Sequence, residues 1–392
     1  MPVYIHQLAT QPAPYCYEQK LIRDQMKAWS ADEKNRRMIH ALYQRSGIDT
    51  RYSVLPDFGP DAQQALYKTR PDGNPEAVGT AKRNRVYAEH SRHMAVQLAE
   101  KAIKRSGFGK EEITHVIFVS CTGFVNPGPD YHIICELGLS PQVQRYTLGF
   151  MGCYAAFPGL RLATQCCEAD RNAVALVVCL ELCTLHMQLD DRPDSMLANA
   201  LFADGAAAAV LSSRPPGAER PALEVKGFNS ALVTQGESAM AWEIGDEGFN
   251  IVLSSYVPEI LGASMEQVLQ QMAGHYGTDL SCVTQWAVHP GGRAILDRVQ
   301  QALALPDASL HASRKILRKY GNMSSATVLF VLEEMLDQSL TDQESVCAMA
   351  FGPGLTVESA LLQAVNFPSR VQSDDECSLT AGTHDFVMNS PT

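Results

Sequence analysis

The sequence predicts a layered α/β fold made of two halves with a similar rhythm. Three observations carry this. Apolar, β-branched segments alternate with segments of helical period. A stretch rich in Pro, Gly and charge at 213–221 interrupts the alternation, which then resumes. The chain has 392 residues, 46% hydrophobic and 19% charged. A chain of that size buries about three quarters of its unfolded surface and needs no disulfide or metal staple.

The elements follow in order. Thr80–Ser106 reads as a long amphipathic helix, with Val86, His90, Met94, Leu98 and Ala102 at every fourth position and Gly107 as its stop. Ile113–Ser120 is β-branched and reads as a buried strand, and Val143–Leu148 as a shorter one. Residues 154–169 look helical, although Pro158 removes a donor there. Ala173–Leu180 and Ala206–Leu211 read as strands. In the second half, Ala222–Val233 is strand-like, 250–275 helical, Val283–Val288 a strand, 292–304 and 322–338 helices, and Cys347–Phe351 a closing strand. The expected division is 1–220, 221–367 and a mobile polar tail over 368–392.

The net charge of −11 argues against broad nucleic-acid binding, yet leaves room for a local basic patch. The N-terminal residues lack a basic segment followed by a long apolar run, and no uninterrupted apolar stretch reaches the length of a membrane span. A cytoplasmic protein with no membrane span is expected. The 11 cysteines are scattered, odd in number and form no CxxC pair, so reduced thiols are expected and no metal site is assigned.

Three segments could carry chemistry. In Leu148-Gly149-Phe150-Met151-Gly152-Cys153, a strand enters a glycine-flanked turn and a cysteine precedes a helix, where amides and dipole stabilise a thiolate. A buried cysteine beside a tight turn fits those residues equally. In Trp286-Ala287-Val288-His289-Pro290-Gly291-Gly292, a histidine ends an apolar strand, as a catalytic or a packing residue. In Tyr320-Gly321-Asn322-Met323-Ser324-Ser325-Ala326, Asn322 either caps a helix or aims its amide at a reacting carbonyl.

The three motifs in this order, GFMGC, HPGG and GNMSSA, resemble those of the type III polyketide synthases, the chalcone- and stilbene-synthase-like family of the thiolase superfamily. The similarity runs over roughly 1–365 and includes LFADGAAA from Leu201 and FGPGLTVE from Phe351. It implies a five-layered αβαβα thiolase-like fold, a homodimer and a Cys153–His289–Asn322 triad. A charged His289 is then expected to lower the thiol pKa. Cys153 takes a starter acyl group from an acyl-CoA, and His289 and Asn322 stabilise the enolate formed when malonyl-CoA loses carbon dioxide. Coenzyme A thioesters serve as substrates, and no metal or redox cofactor is implied. Lys34 and Arg37 match the family's CoA-binding positions, while a third basic position falls on Ala41. Arg36 and Arg45 read as a solvated helix face.

Phe202 and Pro353 match cavity positions of the family, but other positions depart from the plant pattern. The second aromatic gate falls on Ile251, a cavity threonine on Cys121, a volume-setting glycine on Trp242, an interface methionine on Asn126, and the first glycine of the closing motif on Ala350. These changes suggest a cavity reshaped for an aliphatic acyl chain, as in bacterial alkylpyrone and alkylresorcinol synthases. The competing readings are a ketoacyl-ACP synthase III-like enzyme performing one condensation, a cysteine acyltransferase or hydrolase, and a non-catalytic binding protein.

Overall fold

A computed structural model describes residues 1–366 apart from 59–62, 64, 72, 74, 219, 255, 256, 278–282 and 339. The tail expected from 368 onward lies outside the described residues. The chain opens with β1 (Val3–Pro12), β2 (Tyr15–Glu18), α1 (Gln19–Trp29), α2 (Glu33–Arg45) and β3 (Thr50–Ser53). The long helix α3 (Thr80–Ser106) ends at Gly107, whose φ of +87° suits glycine. Its buried face centres on Tyr87, Met94, Ala95 and Leu98, rotated slightly from the expected stripe.

Next come β4 (His115–Ser120), α4 (Pro129–Leu137), β5 (Gln144–Gly149), α5 (Ala156–Ala169), β6 (Val174–Leu182), α6 (Pro193–Leu201) and β7 (Asp204–Ser212). Pro158 does not break α5. It sits in the first turn, where the missing N–H has no intrahelical acceptor to lose. Every residue of β4, β6 and β7 is buried, which explains their continuous apolar or small-residue runs.

The second half contains β8 (Ala222–Leu232), β9 (Met240–Gly245), β10 (Gly248–Leu253), α7 (Val257–Tyr276), β11 (Gln285–Val288), α8 (Arg293–Ala302), α9 (His311–Tyr320), α10 (Thr327–Gln338), β12 (Ser345–Gly352) and β13 (Thr356–Val365). The helix expected from 250 therefore begins at Val257. Residues 250–253 pair instead with 240–243 in the β9–β10 hairpin. Its turn residues Asp246 and Glu247 precede Gly248 at φ +104°, a hairpin signal that the apolar run at 249–253 masks.

Among the described residues, nine strands form one sheet in the order β11-β12-β13-β8-β1-β7-β6-β4-β5. The halves join where β1 pairs with both β7 and β8. Helices α5 and α10 each touch strands from both halves, so the sheet folds over them. Helix α3 covers the outer face of the first half, and α7 covers that of the second. Three apolar clusters fill the spaces between these layers. The result is the five-layered αβαβα arrangement of a thiolase-like fold.

Candidate active site

Cys153 lies in the turn between β5 and α5, His289 one residue beyond β11, and Asn322 two residues beyond α9. Three separate connections thus deliver the three side chains. They meet in one cavity, whose atom-free space, mouth included, is about 680 Å³. Cys121, Phe202, Trp242, Ile251 and Pro353 line the same cavity. Lys34 and Arg37 do not; both are exposed near the start of α2.

The turn around Cys153 is held in an uncommon backbone conformation. Phe150 has φ +62° and Gly152 φ +86°. The Phe150 ring lies 5.5 Å from that of Phe124 and 5.6 Å from that of Phe249, and this aromatic packing offsets its strain. A Cβ at Gly152 would sit 2.4 Å from Pro353 Cδ, so glycine alone lets the FGPGL loop close over the nucleophile turn. Ser324 at φ +48° and Leu355 at φ +36° are also left-handed, beside Asn322 and Pro353. Three of the six non-glycine residues with positive φ among the described residues thus lie in turns that border this cavity.

Asn322 is firmly oriented. Its Oδ1 accepts from the Ser324 N–H at 2.8 Å, and its Nδ2 donates to Gly291 O at 3.3 Å. The Ser324 and Asn322 side chains line the same cavity as the Cys153 sulfur and favour its thiolate. Burial outweighs them, with a smaller contribution from Glu181, and pushes the thiol up to about 11. His289 is 1% exposed, and burial pulls it down to about 3. Its two ring nitrogens have no hydrogen-bond partner among the described residues. Burial thus disfavours the charged form of both groups, against the charged His289 that the resemblance implies.

A buried glutamate that sequence reasoning missed lies behind the cavity wall. Glu181 accepts from the Cys121 N–H and Thr122 Oγ1 at 2.9 Å each, and from Cys121 Sγ at 3.3 Å. Ser325 Oγ also donates to it. Burial raises its pKa. One carboxylate in the otherwise apolar run VALVVCLEL was the available signal. Trp242 also lines the cavity. Its Nε1 donates to Cys121 O at 2.9 Å, and its ring meets those of His186 and Phe249 edge-on.

A second groove shares Leu253, Gly291 and Ile295 with the cavity. It runs out along α2 past Leu42 and Arg45. Arg45, read from sequence as solvated, thus faces a groove continuous with the site.

With this geometry in place, comparison with known proteins gives a consistent result. The family model for chalcone and stilbene synthases, N-terminal domain, matches residues 8–215, and that for the C-terminal domain matches 224–366. Among solved structures, the chain is similar to PKS-I from the brown alga Ectocarpus siliculosus, at 29% identity and a TM-score of 0.85, covering 93% of this chain and 98% of that one. It is also similar to the C-terminal type III polyketide synthase domain of Steely1, a type I/III hybrid from Dictyostelium, at 26% identity and a TM-score of 0.83, covering 93% and 100%.

Proposed function

We propose that this chain, which belongs to the chalcone and stilbene synthase family of type III polyketide synthases, loads an acyl-CoA starter on Cys153 and extends it with malonyl-CoA. One observation carries the residue assignment. A thiol, a buried histidine whose two nitrogens have no partner among the described residues, and a fixed carboxamide open into a single apolar cavity.

The chemistry follows from that arrangement. The Cys153 sulfur attacks the starter thioester carbon. Its proton passes to the neutral His289, which returns it to the departing CoA thiolate. One thioester replaces another, so the step is nearly isoenergetic. Malonyl-CoA then places its thioester oxygen against the N–H groups of His289 and Asn322. The bond to the carboxylate breaks, carbon dioxide leaves and the electron pair becomes an enolate, whose oxygen those donors stabilise. The enolate carbon attacks the acyl carbon on Cys153 and expels the thiolate, leaving a chain two carbons longer on CoA. Repetition requires the chain to return to Cys153. No resident metal or redox cofactor enters this scheme.

The groove along α2 supports a route for the CoA arm, with Arg45 on its wall and Lys34 and Arg37 toward solvent for the phosphates. The apolar lining, with Met240, Ile251, Leu253 and Ile295, supports a fatty acyl starter and a pyrone or resorcinol-type product. A homodimer is part of the proposal. Among the described residues, β5 ends the sheet with one edge unpaired, and Phe124, Val125, Tyr131 and Tyr146 are exposed around it.

The test is mass spectrometry of products from purified protein, malonyl-CoA and acyl-CoA starters from acetyl to stearoyl. Tri- and tetraketide pyrones or resorcinols from long starters are expected. Single-extension β-ketoacyl products, or turnover only with an acyl carrier protein, would move the assignment to the ketoacyl synthase III type.

A further inference from the structure

Arg51 is 2% exposed, and its hydrogen-bond partners are all neutral. Nε donates to Gln19 Oε1 at 2.8 Å, and Nη1 donates to the carbonyl oxygens of Asn199 and Phe202 at 2.7 Å each. The guanidinium carbon lies 5.4 Å from the centre of the Tyr43 ring. A buried cation without a bonded carboxylate is expensive, so the surroundings must favour positive charge. Part of the cost of burial is offset: Asn199 and Phe202 belong to the carboxyl end of α6, where carbonyls carry the negative end of the helix dipole, and the Asp204 charge also favours the cation. Gln19 and Tyr43 complete the clamp, donating to Ala200 O at 2.8 Å and Asn199 O at 2.9 Å.

This clamped turn leads directly into the site. Phe202 forms part of the cavity wall. The neighbouring backbone holds Asn322 from both sides. The Asn322 N–H donates to Leu201 O at 2.9 Å, and the Ala203 N–H donates to Asn322 O at 2.8 Å. Gly321, at φ +73°, brings the Asn322 turn against the same side chain: a Cβ there would lie 3.0 Å from Arg51 Cγ.

We infer that Arg51 is a positioning residue, which fixes Phe202 and the Asn322 carboxamide together through the end of α6. The inference rests on the proposed role of Asn322 in decarboxylation. Among the described residues, none of the Arg51 hydrogen bonds reaches the connections that carry Cys153 and His289. Loss of the clamp should therefore separate the two half-reactions.

The experiment compares the full chain with Arg51→Lys, Arg51→Met and Gln19→Leu. Three readouts are needed: carbon dioxide release from malonyl-CoA alone, acylation of Cys153 by intact mass, and hydrogen–deuterium exchange of peptides spanning 199–204 and 320–324. In Arg51→Lys, which keeps the charge but loses the fork, carbon dioxide release should fall about tenfold to a hundredfold, the scale of a small misplacement. Acylation should fall much less than carbon dioxide release, and the two peptides should exchange faster. Gln19→Leu should show the same split more weakly, and it decides the matter with Arg51→Lys where Arg51→Met fails to fold. Equal losses in both half-reactions matching a drop in Tm, or unchanged exchange in the two peptides, would overturn the inference. Absence of carbon dioxide release by the unaltered protein would instead overturn the functional reading, and exchange would still decide the role of Arg51.

Discussion

The Cys153 thiol, pushed up to about 11, and the His289 imidazole, pulled down to about 3, face the same apolar space without a charge between them. Nucleophilicity then depends on proton transfer during loading rather than on a standing ion pair. The sign is clear. Burial raises an acid and lowers a base, so below the thiol's pKa the thiolate is the minor form throughout the neutral range. Carboxamidomethylation of Cys153, followed by peptide mass, should accelerate about tenfold per pH unit between about 7 and 10. A plateau below neutral pH would show a preformed thiolate–imidazolium pair instead. Glu181 belongs to the same scale. Sequence marks it only as a charge out of place, and the bonds from Cys121 and Thr122 explain how it is tolerated inside.

Among the elements, the turn between β5 and α5 depends most on outside contacts. Its GFMGC signature was legible because glycines before a cysteine leave few geometries, but the reason for Gly152 lies some 200 residues away in Pro353. Gly152→Ala should cost about 1–3 kcal/mol through overpacking against Pro353 and the left-handed φ. It should also slow Cys153 acylation. Thermal unfolding and intact-mass kinetics check both effects, and unchanged values would show that the loop yields freely. The β9–β10 hairpin was the element that sequence reading lost. Residues 249–253 are apolar and run into a genuine helix, so period alone joined them to α7. Trp242, which lines the cavity, was nonetheless singled out, because a large ring in place of the family's glycine is visible without knowing the strand that carries it.

Among the described residues, β5 ends the sheet with one edge unpaired, beside a cluster of exposed aromatic and aliphatic side chains. Edge pairing with a second copy would cover both liabilities. Sedimentation velocity should find a dimer, and Tyr146→Lys combined with Val125→Glu should shift it to monomer. A monomer at all concentrations in the unaltered protein would remove the dimer from the proposal.

The sequence by itself determined the α/β class, the order of most strands and helices, and the three motifs that bear the thiol, imidazole and carboxamide. These are local properties: period, turn chemistry and residue type act over a few neighbours. Only the tertiary structure decided the rest. It folded one sheet over α5 and α10, brought three distant connections into one cavity and left Lys34 and Arg37 outside it. It also buried His289, which lowers its pKa. Burial depends on what packs around a side chain from elsewhere in the chain, and no local pattern encodes that environment.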